Sequence, residues 1–427
     1  MIPTSSTSVL ASLWDEVRFQ ERPPLPLVRH TQVVAWLRRL QESAPDLFQV
    51  EEVGRSVEGR AIHHVQVGHG PRHVLLWSQM HGDEPTATTA LFEVFEYLRR
   101  YRQDPRVDGL LSALTLHAVP MLNPDGAERF QRVNAQGIDI NRDALMLQTP
   151  EGRTLKALRD RLQPSLGFNL HNQDWRTAVG RSGKPASISL LAPAFDEARS
   201  DNPGRLLAKK VCAVIRDAVE QLAPGQVGRY NDAFEIRAFG DNMGRWGTPA
   251  VLIETGPWPE EDSDGALLRL NFVALVSALE ALASGGAEQA SLERYDSIPL
   301  NDSKGLLRLI VKGVHVFGEA GDAFLADIGV AASPAIRMTN GTPRAVFLGA
   351  IAELGDLRVF GAIETVEGQG LTAVPLPARD VKEGDVVPLP PRSACEVAVG
   401  QIAKLMLLRP GEAAGAWRVE RIIRFDR

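Results

Sequence analysis

Over roughly the first 290 residues of the 427-residue chain, short apolar runs closed by a polar residue alternate with stretches at helical spacing. This alternation limits the fold more than any other feature of the sequence. HVLLWSQM at 73–80 suits a buried strand. The residues after it place Leu91, Val94, Phe95 and Leu98 at helical spacing behind Pro85, a good early helix residue. ALTLHAVPM at 113–121 is a second strand-like run, ending at the turn Asn123-Pro124-Asp125-Gly126. SLGFNLH at 165–171 and PAVLIE at 249–254 repeat the theme, and helical stretches lie at about 151–163, 203–222 and 264–284. Strands alternating with helices predict an α/β domain with a largely parallel sheet. In such sheets ligands bind at the carboxyl ends of the strands.

The length suits two domains. Residues 1–290 read as the α/β domain, and ALASGGAEQA around 282–290 as a linker. From 300 to 427, short apolar or alternating runs separated by Gly, Pro and Asp turns predict a smaller β-rich domain. A net charge of −6 argues against general binding to nucleic acid or anionic membranes. No run approaches the roughly 20 apolar residues of a membrane span. The N-terminal stretch MIPTSSTSVLASLWDEVRF has no basic region typical of a signal peptide, so a cytoplasmic location is expected. Two cysteines, Cys212 and Cys395, are too few for a disulfide framework or a thiolate metal site.

Chemistry-bearing residues gather at the predicted strand ends. His81 and Glu84, three residues apart between a strand and a helix, can place an imidazole nitrogen and a carboxylate on one ion. Catalytic zinc commonly takes three protein ligands, and His171, closing the run Leu166–Leu170, can supply the third. Glu254 closes Ala250-Val251-Leu252-Ile253, where burial would raise its pKa towards that of a base working near neutrality. Arg132, Asn141 and Arg142 lie just after the Asn-Pro-Asp-Gly turn. An arginine beside a metal-activated water can stabilise an oxyanion, and a second one with an adjacent amide can grip a carboxylate.

Four segments, in order, resemble the zinc carboxypeptidase family: Gly54–Arg60 (GRSVEGR), His81–Glu84 (HGDE), the block from Asn123-Pro124-Asp125-Gly126 through Arg132 to Gly137–Arg142 (GIDINR), and Glu254 in Leu-Ile-Glu-Thr-Gly. The match covers roughly residues 45–280. The resemblance implies an α/β/α sandwich around a mixed eight-stranded sheet and one Zn(2+) per chain, held by His81, Glu84 and His171. It implies that Glu254 activates the attacking water and that Arg132 polarises the scissile carbonyl. Asn141 and Arg142 would hold a substrate carboxylate, and Asp139 would orient His81 from behind. Tyr230, 24 positions before Glu254, stands where many members carry a tyrosine on a closing loop. Glu235, Arg237 and Asp241 should border the pocket that reads the terminal side chain. The implied activity is hydrolysis of a peptide or peptide-like amide next to a free carboxylate. Leu170-His171-Asn172 also resembles the D-x-H-N segment of the desuccinylase and aspartoacylase branch of the superfamily, whose members act on small N-acyl amino acids. A binding protein on an inactive scaffold is the third alternative. Oligomeric state is not readable from the sequence.

Overall fold

The computed structural model describes residues 5–260, 263–319 and 321–426. It divides into two compact units, Met1–Gln173 with Ala186–Asn301, and Asp174–Pro185 with Asp302–Arg427. The division is therefore not a single cut near residue 300, because segment 174–185 goes with the second unit.

In the first unit, α1 (Thr7–Val17) and α2 (His30–Ser43) precede β1 (Phe48–Arg55), β2 (Ala61–Gly68) and β3 (Arg72–Ser78). Then come α3 (Thr86–Arg100), α4 (Pro105–Ala113), β4 (Leu114–Val119), α5 (Pro124–Arg129), α6 (Pro150–Leu162) and β5 (Leu166–Asn172). The two-residue β6 (Ala178–Val179) lies in the segment that joins the second unit. The chain continues through β7 (Ile188–Leu191), α7 (Pro203–Val219), β8 (Val227–Arg229), α8 (Phe239–Arg245), β9 (Ala250–Thr255) and α9 (Ser263–Ser284). Short helices α10 (Gly286–Gln289) and α11 (Leu292–Asp296) close the unit. The stretch predicted as a linker is thus the end of α9 and all of α10, with Gly285 at φ 77° making the break between them.

Eight strands form one mixed sheet in the order β1-β2-β4-β3-β5-β9-β7-β8, as the resemblance implies. The central β4, β3, β5 and β9 run parallel, whereas β1–β2, β2–β4 and β7–β9 are antiparallel. Alternation along the strands sorts side chains to two faces. Val74, Leu76, Phe168, Leu170, Val251 and Ile253 join buried residues of α3, α7 and α9 in the larger core. Leu75, Trp77, Val119 and Ala250 join Leu155 and Leu158 of α6 and Phe239 and Met243 of α8 in the smaller one. By length and composition α9 could cross a membrane, which the sequence reading overlooked. However, 78% of its most apolar window is buried inside the protein, as in a helix enclosed by its neighbours.

The second unit is β-rich, as predicted. After β10 (Asn301–Asp302), strands β11 (Leu306–Phe317), β12 (Ala323–Thr339), β13 (Thr342–Gly355), β14 (Gly361–Glu367), β15 (Thr372–Pro375), β16 (Val386–Pro388), β17 (Lys404–Pro410) and β18 (Ala416–Arg424) build its main sheet. Asn340 and Gly341, both at positive φ, turn the long β12–β13 hairpin. Segment 174–185 is part of this body. Leu306 N–H donates to Arg176 O at 2.9 Å, Arg176 pairs with Glu353 at 3.1 Å, and Trp175 packs edge-on against Phe347.

Back in the first unit, the motifs that look separate in the sequence lock together. Asp125 accepts from Ser56 Oγ (2.7 Å), Glu58 N–H (2.9 Å) and the Arg60 guanidinium (2.6 Å), so GRSVEGR is the binding loop for the carboxylate of NPDG. Asn123 caps α5 at Gly126 N–H and donates to Met80 O, one residue before His81. Gly82 lies so close to α5 that an added Cβ would sit 2.0 Å from Gly126 C. Backbone cannot yield as a flexible side chain can. Gly82→Ala should therefore destabilise the protein by about 2 kcal/mol or more, within or above the usual range for overpacking. The check is the shift in its urea unfolding midpoint at unchanged m-value.

Candidate metal centre

β3 ends at Ser78, and the chain then turns sharply through Gln79, which is held at φ 51°. Its side chain stabilises this costly conformation by donating to Gly82 O (3.0 Å) and accepting from Thr88 Oγ1 (2.9 Å). The turn puts His81 and Glu84 at the carboxyl end of the sheet. On the adjoining strand, His171 stands opposite Glu254 in the β5–β9 register. Both face the side of the smaller core, since their neighbours Leu170 and Ile253 face the larger one.

His81, Glu84 and His171 converge, with one ligand atom from each lying within 4.8 Å of the others. His81 Nδ1 is 2.7 Å from Glu84 Oε1, His171 Nδ1 is 2.7 Å from Glu84 Oε2, and the two Nδ1 atoms are 3.1 Å apart. On the far side of its ring, His81 Nε2 meets Asp139 Oδ1 at 3.0 Å. A carboxylate can only accept, so Nε2 carries the proton and a neutral His81 turns its Nδ1 lone pair inward. The three predicted ligands and the predicted orienting acceptor are thus brought together.

The electrostatics fit a cation. Burial alone would lower the His81 pKa, but the Glu84 charge and hydrogen bonds from Asp139 and Glu84 lift it to about 9. Burial would raise Glu84, yet the two imidazoles hold it well below the usual carboxylate range. Burial lowers His171, and His81 and Arg132 push the same way. The carboxylate of Glu84 thus favours a positive charge between the two imidazoles. Two imidazole nitrogens and a carboxylate are a donor set that suits zinc. Glu254 is partly buried, and its Oε2, shielded from solvent, has no hydrogen-bond partner among the described residues. Burial of the carboxyl, then the charge of Glu84, pushes its pKa well above normal.

Arg132 reaches the cluster from the loop after α5. Its Nε donates to Asp139 Oδ2 (3.0 Å), and a terminal nitrogen lies 3.2 Å from His81 Nδ1 and 3.4 Å from Glu84 Oε1. Nearly half of its side chain stays exposed. Asn141 Oδ1 is committed to Phe239 N–H at the start of α8 (2.9 Å), which leaves its amide N–H groups to donate. Arg142 is partly exposed, and its Nε lies 3.8 Å from Glu235. Glu235 is in turn paired with Arg237, which draws its pKa down to about 2, and burial lifts Asp241 to about 6. The predicted specificity residues therefore form one charged cluster around Arg142. Tyr230 directly follows β8, its N–H donating to Leu190 O (3.1 Å).

Several residues around the site were not foreseen. Asn172 N–H donates to Glu84 Oε2 (3.1 Å) while its side chain donates to Thr86 Oγ1 (2.7 Å), fastening the HGDE turn to β5. The histidines that look scattered in the sequence include a ladder on the smaller-core face, running Glu51–His64–His117–His73 with contacts of 2.9, 3.0 and 2.9 Å. Only strand register shows this alignment.

Residues 33–184 match the family model described as zinc carboxypeptidase. This region resembles the zinc carboxypeptidase family. It contains His81, Glu84, His171, Arg132 and Asp139. Carboxypeptidase M of Mus musculus is 29% identical over 126 residues, which are 26% of this chain and 28% of that protein. Carboxypeptidase D of Homo sapiens is 25% identical over 163 residues, 33% of this chain and 12% of that protein. The chain thus spans less than a third of the length of these relatives. Among solved structures, a metallo-carboxypeptidase from Burkholderia cenocepacia aligns at a TM-score of 0.47 with 21% identity, covering 59% of this chain and 68% of that one.

If Asp139 orients a metal ligand through His81, Asp139→Ala should weaken zinc binding by about tenfold to a hundredfold, the usual effect of losing such an acceptor. Competition against a chromogenic chelator measures it.

Proposed function

We propose that the chain is a zinc-dependent carboxypeptidase that releases a C-terminal residue from a peptide or cleaves a peptide-like amide beside a free carboxylate. The observation that carries this is the convergence of His81, Glu84 and His171 beside Glu254, whose shielded Oε2 has no hydrogen-bond partner among the described residues. A bound zinc ion supplies a Lewis acid that acidifies water and polarises a carbonyl.

The remaining work falls to the chain. Glu254 takes a proton from the attacking water and returns it to the leaving amine, a task its raised pKa suits. The Arg132 guanidinium, held in place by Asp139, stabilises the oxyanion. Arg142 and the Asn141 amide bind the substrate carboxylate, and Glu235 beside Arg142 keeps that guanidinium directed.

Purified protein should hydrolyse members of a panel of dipeptides, longer peptides and N-acyl amino acids, and a chelator should abolish this until zinc is restored. Turnover confined to N-acyl amino acids would replace the proposal with a deacylase, and absence of both metal and turnover would leave a binding protein. Glu254→Gln should keep zinc and lose turnover by about a hundredfold or more. Arg142→Ala should cost substrates with a free carboxylate about tenfold or more in kcat/KM, the value of one charged hydrogen bond, and spare amidated analogues. Equal losses on both would remove Arg142 from that role.

A further inference from the structure

Arg132 and Asp139 are seven residues apart in the chain, yet they meet at 3.0 Å and both touch His81. The chain between them reverses without strand pairing, and the fully buried Asn134 holds the reversal. Asn134 N–H donates to Ile138 O, and Gly137 N–H donates to Asn134 O, each at 3.0 Å. Asn134 Oδ1 accepts from Gln136 N–H (3.0 Å) and Ile138 N–H (3.1 Å). Both lone pairs of that oxygen are used, so the amide cannot flip. Its Nδ2 therefore faces acceptors, donating to Glu151 Oε2 at 3.1 Å and to Gln136 Oε1 at 3.3 Å.

Glu151 lies in the first turn of α6 and has no exposed surface. Its other oxygen accepts from Val57 N–H at 3.3 Å, on the loop that binds Asp125. A buried carboxylate is costly to keep, and neutral residues could pack here. Nothing in the proposed chemistry uses Glu151.

We propose that Glu151 is a positioning residue for the metal centre: acting through Asn134, it sets the 132–139 loop so that Arg132 and Asp139 arrive together on His81. The link to turnover rests on the carboxypeptidase proposal, whereas the link to metal binding does not.

The polarity of one hydrogen bond tests this. Glu151→Gln turns an amide donor towards the Asn134 donor, and Asn134→Asp turns a carboxylate towards Glu151. Combined, the two changes restore the bond with donor and acceptor exchanged and the total charge unchanged. Each single variant should lose about tenfold or more in zinc affinity, as when a ligand's supporting acceptor is disturbed. kcat should fall by about a hundredfold with KM little changed, as expected for a displaced catalytic group. The double variant should recover both. Zinc titration, steady-state kinetics and urea unfolding of the metal-free forms are measured together. Wild-type zinc affinity in the folded single variants would overturn the proposal. So would a double variant no better than the worse single one, folded or not. A drop confined to the unfolding midpoint would make Glu151 merely structural. If no substrate is found, the zinc titrations still decide this proposal, and only the carboxypeptidase proposal fails.

Discussion

Glu84 is a buried carboxylate between two imidazoles, and much of the first unit keeps its charge in place. Taking such a charge out of water costs several kcal/mol unless partners repay it. Here His81, His171, the Asn172 N–H and the edge of Arg132 surround it. Those partners come from β5 and from loops after β3 and α5, so the site depends on where the strands end. A parallel sheet supplies this geometry, because the loops leaving β3 and β5 and the end of β9 open on the same edge.

Two kinds of carboxylate stand out in the first unit. Asp125 and Asp143 are saturated by backbone N–H groups, hydroxyls or a guanidinium, and both hold loops. Glu254, by contrast, has an oxygen that no described residue satisfies. A saturated carboxylate has spent its hydrogen-bonding capacity on the fold, while an unsatisfied one keeps it for something that binds.

The sequence made the central strands of the sheet legible, because short apolar runs closed by a polar residue or a turn show even over lengths such as Leu114–Val119. His81, His171 and Glu254 stood out because a polar residue closing an apolar run has no packing reason to be there. What stayed hidden depends on register or long-range pairing. The His64–His117–His73 ladder crosses three strands, and nothing local marks it. Asn134 and Glu151 lie 17 residues apart in loop and helix, each unremarkable alone. The end of α9 and α10 were taken for a linker because Gly285-Gly286 is a strong local break, while the burial of Ala287 is a tertiary effect. Segment 174–185 was assigned to the first domain by proximity in sequence, but its contacts lie with the second.

That assignment bears on modularity. A domain fused at one end of a chain can be exchanged as a cassette, but this one is built from two stretches, the first of which begins three residues after His171. A chain cut after Asn301 would keep residues 174–185 and lose the body they belong to. Ala178 and Val179, now buried, would lose their cover, and Arg176 would lose both Leu306 and Glu353. The second unit is thus covalently interwoven with the first. Recombining it between relatives would take three crossovers, one of them beside a metal ligand.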